Sequence, residues 1–202
     1  MKLMGNEKRA SLIVAEAVRW IGHSEQPDSV YGHSSDKVAC SMKAELMEPM
    51  RRPSSRLLVI DQNNRVLLFR FQFERGPLAG QDYWATPGGA LEAGGSFADA
   101  ARRELFEETG IVRDAVGQEL AERKFALQLH DGEYVMAEER FFLVRVADQS
   151  LLRDHWTPIE IEVMTEHRWW SFEELRSTSE AVFPETLVTI LARIDHTDTS
   201  GL

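Results

Sequence analysis

Residues Gly89 to Ile111 read GALEAGGSFADAARRELFEETGI and carry the signals for both ends of a helix. Ser96 can cap the helix N-terminus, and Asp99, three positions later, completes a capping-box pattern. Gly110 stands where a C-terminal residue in the left-handed conformation belongs. The pattern therefore predicts a helix from about Phe97 to Thr109.

Three glutamates of this helix lie close together. Glu104 is three positions before Glu107 and four before Glu108, so the three carboxylates project within ~100° of one another. Like charges at these spacings repel, and the last turn also disfavours anions because of the helix dipole; each effect costs up to about 1 kcal/mol. An apolar stripe beside the carboxylates can face a core while they stay accessible, and it comprises Ala98, Ala101 and Leu105.

A divalent cation would relieve this repulsion. Arg103 can pair with Glu107, but one arginine does not balance three carboxylates. Mg²⁺ prefers oxygen ligands and is typically held by a few carboxylates together with substrate phosphates. A solvated acidic face is the ordinary explanation of a single Glu pair, but the preceding turn Pro87-Gly88-Gly89 favours a binding site. Glycine has no side chain to keep a backbone carbonyl away from the carboxylates.

These residues resemble the Nudix box, whose pattern is G-x5-E-x7-R-E-U-x-E-E-x-G-U, with U a bulky aliphatic residue. The chain matches every defined position except one, because Gly95 stands where the family has glutamate. The resemblance implies a Nudix-type α/β/α sandwich around a mixed β-sheet, over about residues 54 to 195. It also implies an Mg²⁺-dependent hydrolase, with Mn²⁺ as a substitute, that cleaves the pyrophosphate bond of a nucleoside diphosphate linked to another moiety X.

The resemblance further implies roles for individual residues. Glu104, Glu107 and Glu108 would bind the metal together with the Gly88 carbonyl, and Arg103 would orient the carboxylates. The cations would polarise the pyrophosphate and lower the pKa of the attacking water. We therefore predict Glu107, Glu108 and Arg103 as catalytic residues.

The general base stays open between two kinds of glutamate. In this family it is either a box glutamate or a glutamate on a later loop, and it takes the proton of the water. The segment Trp156 to Glu162 supplies loop candidates, with Glu160 as the first choice for a catalytic residue and Glu162 as the second. The missing glutamate at Gly95 predicts reduced or retuned activity, with Glu92 as a partial substitute.

The sequence around the box predicts strands interleaved with two or three helices, which is typical of a mixed α/β or α+β sandwich. A β-hairpin is predicted from two apolar runs around the turn at Asp61 to Asn64. A last helix would have Pro184 in its first turn. The predicted strands are Leu57–Ile60, Val66–Phe69, Tyr83–Thr86, Ala121–Leu129, Arg140–Val146 and His167–Trp170, and the later helices follow Ser171 and reach about Ile194.

Residues 1–52 differ from the rest and are predicted to be an N-terminal extension, partly helical or flexible, before a Nudix domain at 53–202. The stretch Ala10 to Trp20 can form an amphipathic helix that packs on the domain or on a partner chain, which leaves a homodimer open. Alternatively, the functional chain starts at one of the methionines 42, 47 or 50, and the extension is nonessential.

Composition restricts the classes of function. The 202 residues suit one domain with an appendage, and the net charge of −10 argues against sequence-independent nucleic-acid binding. The single cysteine, Cys40, excludes an internal disulfide framework. No apolar run approaches the ~18 residues of a membrane span, and no signal peptide is indicated, so we expect a cytoplasmic protein without membrane attachment.

Four residues outside the box are candidate substrate contacts. Arg56, Arg70 and Arg140 lie on predicted strands and can bind phosphate or ribose, and Trp84 can stack on a nucleobase. The main alternative function is a Nudix-like ligand-binding or regulatory module with weak or lost hydrolysis, which only Gly95 supports. A third alternative, an unrelated protein with an acidic helix, is disfavoured by the full motif.

Overall fold

The computed structural model describes residues 50–76, 78–128, 134–147 and 149–194. The predicted N-terminal helix, Cys40 and Leu129 at the end of one predicted strand lie outside these residues. No helix in the described ranges is both long and apolar enough to cross a membrane.

Within the described residues, eight strands form one mixed sheet. They are β1 (Arg51–Ile60), β2 (Val66–Gln72), β3 (Asp82–Ala85), β4 (Gly88–Ala90), β5 (Glu119–Gln128), β6 (Tyr134–Arg145), β7 (Met164–Trp170) and β8 (Val182–Phe183). The main path is β5-β6-β1-β2-β3-β8, with β4 paired to β1 and β7 paired to β2. The pairs β1–β6 and β3–β8 are parallel and the others antiparallel, which confirms the predicted mixed sheet and the hairpin of β1 and β2.

The helices of the described chain are α1 (Phe97–Thr109), α2 (Pro158–Val163), α3 (Phe172–Ser177) and α4 (Leu187–Leu191). Helix α1 has the predicted bounds. The Ser96 side chain accepts from the Asp99 N–H, and the Asp99 side chain accepts from the Ser96 N–H, so the capping box is present. Gly110 has φ 75° and donates its N–H to the Phe106 carbonyl. The local sequence therefore determines both ends of α1.

The sheet separates two apolar cores, because neighbouring residues of a strand point to opposite faces. On β1, Leu57 and Val59 belong to the core that contains Ala101 and Leu105 of α1 and Val163 of α2. Leu58 and Ile60 belong to the core that contains Leu175 of α3 and Leu187 and Ile190 of α4. Helices thus cover both faces of the sheet, which confirms the predicted α/β/α sandwich.

Several predicted details are wrong. Pro184 is not in the first turn of the last helix, since α4 begins at Leu187. Ala98 is exposed, and the buried alanines of α1 are Ala100 and Ala101. Strands β4 and β8 span three and two residues, too few for a periodic pattern in the sequence.

Two strands begin earlier than the apolar pattern indicates. Strand β1 starts at Arg51, before the predicted domain boundary at 53, and pairs from there with β6. Strand β6 starts at Tyr134 rather than at Arg140. The added residues of β1 are mostly polar or charged, and their place in the sheet depends on their pairing with β6. Those of β6 include Val135 and Ala137, which are buried in a small apolar cluster with Phe125.

Candidate active site

The glycine turn before α1 packs tightly against both β1 and the helix. Strand β4 pairs with β1 so that Ser55 lies opposite Gly89 and Arg56 opposite Gly88. Gly88 has φ 142°, and a Cβ atom there would lie 2.9 Å from the Arg56 Cα. A Cβ atom on Gly89 would lie 2.6 Å from the Glu104 Cδ. Gly88 therefore requires glycine, because of its positive φ and because a side chain would meet the backbone of β1, whereas a side chain at Gly89 would displace the Glu104 carboxylate.

Arg103 brings three carboxylates together. Its Nη2 donates to the Ala90 carbonyl at 2.7 Å and to Glu104 Oε1 at 2.5 Å. Its Nε lies 3.4 Å from Glu107 Oε2, and its Nη1 lies 3.6 Å from Glu92 Oε1. These contacts are the ones that the predicted orienting role of Arg103 requires, and they include Glu92, the predicted substitute for the missing box glutamate.

The three box glutamates differ in exposure. Glu104 and Glu108 are buried, with relative exposures of 1% and 3%, whereas the Glu107 side chain is 27% exposed. Glu108 Oε2 accepts the Gly88 N–H at 2.8 Å. The expectation that the whole patch stays accessible is therefore wrong for Glu104 and Glu108, because the glycine turn covers them. Glu107 is the member that faces solvent.

A distant loop closes the C-terminal end of α1. The Trp156 indole Nε1 donates to the Glu108 carbonyl at 2.9 Å, and the Leu152 N–H donates to the Thr109 carbonyl at 3.0 Å. Neither contact is predictable from the sequence, because the two residues belong to a loop far along the chain. An indole N–H usually finds an acceptor when buried, but the sequence does not show which one.

The donor chemistry fits a hard divalent cation. Carboxylate oxygens and a glycine backbone that approaches them are the oxygen ligands that Mg²⁺ prefers. In this conformation, however, no group of three or more Asp, Glu, His or Cys side chains in the described residues is spaced to hold a metal ion. Arg103 contacts Glu104 and Glu107, while Glu108 turns to the Gly88 N–H. Metal binding by these residues therefore stays a prediction.

The prediction that Trp156 to Glu162 form a loop is wrong. The segment contains helix α2, and Glu160 is only 2% exposed. Glu160 Oε2 accepts the Thr157 N–H at 2.6 Å, and Thr157 Oγ1 accepts the Glu160 N–H at 3.3 Å, which is a capping box. Thr157, Pro158 and Glu160 are the sequence signal for this helix start. Glu162 pairs with Arg75, whose hydrogen bond holds the pKa of Glu162 below its usual range.

Among the candidate substrate contacts, Arg140 lies on the same face of the sheet as α1. It stands opposite Ser55 in the β1–β6 pairing, and Ser55 Oγ donates to the Phe97 carbonyl at the start of α1. The Arg140 guanidinium lies 4.1 Å from the centre of the Phe97 ring and pairs with Glu138 at 3.3 Å. The structure therefore places Arg140 beside the N-terminal end of the carboxylate-bearing helix.

The remaining candidates lie elsewhere. Arg56 is buried and donates to Glu139 at 3.0 Å, on the face of the sheet that carries α3 and α4. Trp84 is 2% exposed in that same core. Arg70 pairs with Asp82 at the sheet surface, and this hydrogen bond raises the pKa of Arg70 above its usual range. The structure does not bring these three side chains to the carboxylates of α1.

Comparisons with known proteins agree with this architecture. The family model described as NUDIX domain matches residues 50–190. The MutT protein from Methanosarcina mazei Go1 is 24% identical, with a TM-score of 0.52 over 76% of this chain and 99% of that chain. The E. coli ORF135 protein is 19% identical, with a TM-score of 0.54 over 76% and 96% of the two chains.

A third solved structure, the NUDIX domain of Shewanella oneidensis NrtR in complex with ADP ribose, is 16% identical. Its TM-score is 0.52 over 82% of this chain and all of that one. At these identities the solved structures establish the fold alone. No curated protein matches the chain.

Proposed function

The chain belongs to the Nudix family and is a Nudix pyrophosphohydrolase, and we propose that it cleaves nucleoside diphosphates linked to another moiety X with the help of Mg²⁺. The hydrolase domain predicted at 53–202 would also include Arg51 and Arg52 of β1, and the residues before them would form the extension. Mn²⁺ would substitute for Mg²⁺, since both accept oxygen ligands.

One observation carries this proposal: the turn at Gly88-Gly89 meets the carboxylates of α1. The missing side chain at Gly89 leaves the space that the Glu104 carboxylate occupies, with a hypothetical Cβ only 2.6 Å from its Cδ. A solvated acidic helix face would need no such space. The close approach therefore favours a built site, in which Glu104, Glu107, Glu108 and the Gly88 carbonyl would hold the metal.

A bound divalent cation would polarise the pyrophosphate and lower the pKa of the attacking water. The residues of the chain would fix its position. Arg103 holds Glu104 at 2.5 Å and lies 3.4 Å from Glu107, so it orients both carboxylates and neutralises part of their charge. The buried Glu104 and Glu108 would bind firmly because the surrounding backbone fixes their rotamers.

For the general base, the structure favours Glu107 over Glu160. Glu107 is the only box glutamate whose side chain is substantially exposed, at 27%. Its Oε2 is buried beside Arg103, so a water molecule would approach the other carboxylate oxygen. The Glu160 carboxylate is buried and accepts the Thr157 N–H at 2.6 Å. A base must lie within hydrogen-bond reach of the water whose proton it takes. A catalytic role for Glu160 would therefore require α2 to uncap.

The substrate class follows from the family, and X is to be determined by experiment. The NUDIX domain of NrtR was solved with ADP ribose, which is a nucleoside diphosphate linked to a sugar. This supports ADP ribose as one member of the first screen. Among the predicted substrate contacts, Arg140 ranks first because it lies on the α1 face of the sheet; Arg56, Arg70 and Trp84 stay predictions.

The test is a screen of nucleoside diphosphate sugars, dinucleoside polyphosphates and nucleoside triphosphates with Mg²⁺ or Mn²⁺, and with identification of the products. Glu107→Gln is the control, because it keeps the size of the side chain and removes the charge. We expect a fall in kcat of at least about a hundredfold, which is the usual scale for the loss of a general base. Unfolding by urea should show that the variant still folds.

Two results would contradict the proposal. Turnover that is unchanged in Glu107→Gln would remove the box from the mechanism. Tight binding of a nucleotide without any product that depends on Glu107 would instead favour the ligand-binding or regulatory module.

A further inference from the structure

The last turn of α1 ends in carbonyl groups that the helix itself cannot satisfy. The final four carbonyls of a helix have no intrahelical partner, and their partial negative charge disfavours nearby anions. Helix α1 has no basic residue in its last turn, although it carries Glu107 and Glu108 there. Donors from elsewhere in the fold must therefore stabilise this end.

Trp156 supplies one of these donors. Its indole N–H donates to the Glu108 carbonyl at 2.9 Å, and the contact is buried. Glu108 is consequently held at two points, since its carboxylate accepts the Gly88 N–H at 2.8 Å. A shift of the backbone at Glu108 would move the carboxylate away from the glycine turn.

The Trp156 ring is itself fixed by its surroundings. It is 7% exposed and meets the Phe69 ring edge-on, with 5.6 Å between the centroids. The Arg153 guanidinium lies 4.7 Å from the ring centre on the solvent side. The next residue, Thr157, caps helix α2. A rigid donor can impose its position on the helix end, whereas a mobile one would follow it.

We propose that Trp156 is a positioning residue: its indole N–H fixes the last turn of α1 and so sets the places of Glu107 and Glu108. This inference rests on the proposed function for its catalytic meaning. The contact with the Glu108 carbonyl is independent of that function.

The test compares Trp156→Phe with Trp170→Phe in the full chain. Phenylalanine keeps an aromatic ring and removes the indole N–H. Trp170 is the matched control, because it is 2% exposed in the opposite core and its Nε1 has no hydrogen-bond partner among the described residues. Both variants lose part of a buried indole, so both should lose stability; only Trp156→Phe removes the contact to α1.

Two readouts separate positioning from general stability. The first is the exchange rate of the Gly88 amide proton in metal-free protein labelled with ¹⁵N-glycine, because this proton is donated to the Glu108 carboxylate. The second is the Mn²⁺ affinity by titration calorimetry. We expect Trp156→Phe to exchange the Gly88 proton several-fold faster and to bind Mn²⁺ about tenfold more weakly, as for other residues behind metal ligands. Trp170→Phe should leave both within about twofold of the wild type.

Unchanged Gly88 exchange in Trp156→Phe, or an equal change in Trp170→Phe, would overturn the inference. If the wild type bound no Mn²⁺, the proposed metal chemistry would fail, while the Gly88 readout would still decide the role of Trp156. If Trp156→Phe does not fold, Arg153→Ala serves instead, since it loosens the ring and keeps the N–H. It should raise Gly88 exchange by clearly more than the roughly twofold range allowed for Trp170→Phe, and a change inside that range would count against the inference.

Discussion

Two glycines of the same motif differ in how closely other atoms approach them. A Cβ atom on Gly89 would lie 2.6 Å from the Glu104 Cδ, whereas one on Gly95 would meet nothing closer than the Glu92 carbonyl oxygen at 3.3 Å. We therefore predict that Gly89→Ala weakens Mn²⁺ binding by about tenfold or more, because the Glu104 carboxylate must move. Titration calorimetry measures this change.

Gly95→Ala is the control for this prediction, since it adds the same methyl group to the same motif. We expect its Mn²⁺ affinity to stay within about twofold of the wild type. Equal losses in the two variants would show that the glycine at 89 has no special relation to Glu104.

The departure from the family pattern at Gly95 leads to a second prediction. Arg103 Nη1 already lies 3.6 Å from Glu92, whose side chain is 76% exposed. This exposed pair is weak, and we expect the glutamate that the family pattern has at 95 to take over the part of Glu92 in holding Arg103. We predict that Gly95→Glu raises kcat/KM about twofold or more and makes it insensitive to Glu92→Gln, which lowers it in the wild type. Kinetics of the two single variants and the double variant test this coupling.

For individual residues, the sequence predicts contacts that depend on spacing along the chain, and it misses contacts that only the folded structure creates. The spacing of Arg103 and Glu107 predicts their pairing, which the structure confirms. The contact of Trp156 with Glu108 joins residues 48 positions apart, so no local pattern contains it. The same limit applies to exposure, because only the assembled glycine turn reveals that Glu104 and Glu108 are covered.

At the scale of elements, the residues at its two ends determine where helix α1 begins and ends. Ser96 Oγ accepts the Asp99 N–H at 3.1 Å, and Gly110 closes the other end. We predict that Ser96→Ala lowers the free energy of unfolding by about 1 kcal/mol, the usual cost of a lost cap. The Mn²⁺ affinity should not change, because Glu107 and Glu108 are at the other end of the helix. Urea unfolding and calorimetry of one preparation test both parts.

A clear loss of Mn²⁺ affinity in Ser96→Ala would contradict this separation of the two helix ends.

Helices and strands with strong local sequence signals are predicted well, whereas those that form only through contacts with other parts of the fold are not. Helix α1 and the hairpin of β1 and β2 follow from capping, turn residues and apolar runs. Strand β4 exists because the glycine turn pairs with Ser54, Ser55 and Arg56, and this requires β1 to be in place. Helix α2 carries a capping box in its sequence, but a short helix without a long apolar pattern reads as a loop.

At the scale of the whole molecule, a buried carboxylate on β6 connects this strand to β1. Glu138 is 2% exposed and is bonded to Arg51 and Arg140. The hydrogen bond from Arg51 is the largest cause that keeps the pKa of Glu138 below its ordinary value of 4.5. A carboxyl with a lowered pKa in the folded state stabilises the fold above about pH 4.5, and this contribution is lost as pH falls through the folded-state pKa.

We therefore predict that Glu138→Gln is less stable than the wild type at pH 7, and that the difference shrinks as the pH is lowered from 5 towards 3. Urea midpoints across this range measure it. A difference that is constant with pH would mean that the Glu138 charge does not contribute.

The place of β1 also bears on the predicted extension. Strand β1 begins at Arg51, and the Met50 carbonyl accepts the Met136 N–H at 2.9 Å. We predict that a chain beginning at Met50 folds and keeps its turnover within about twofold, because the paired residues of the sheet are all retained. Activity and urea unfolding of this shortened chain provide the measurement. A large loss of either would assign residues 1–49 a part in the domain or in its association.

The parallel pairing of β1 with β6 has a consequence for the newly made chain. Arg56 and Glu139, which meet in that pair, are 83 positions apart. Synthesis at ~5–20 residues per second separates their emergence by on the order of ten seconds. During that interval the edge of β1 that pairs with β6 stays open. A chaperone that binds extended apolar segments would therefore first bind the protein at β1.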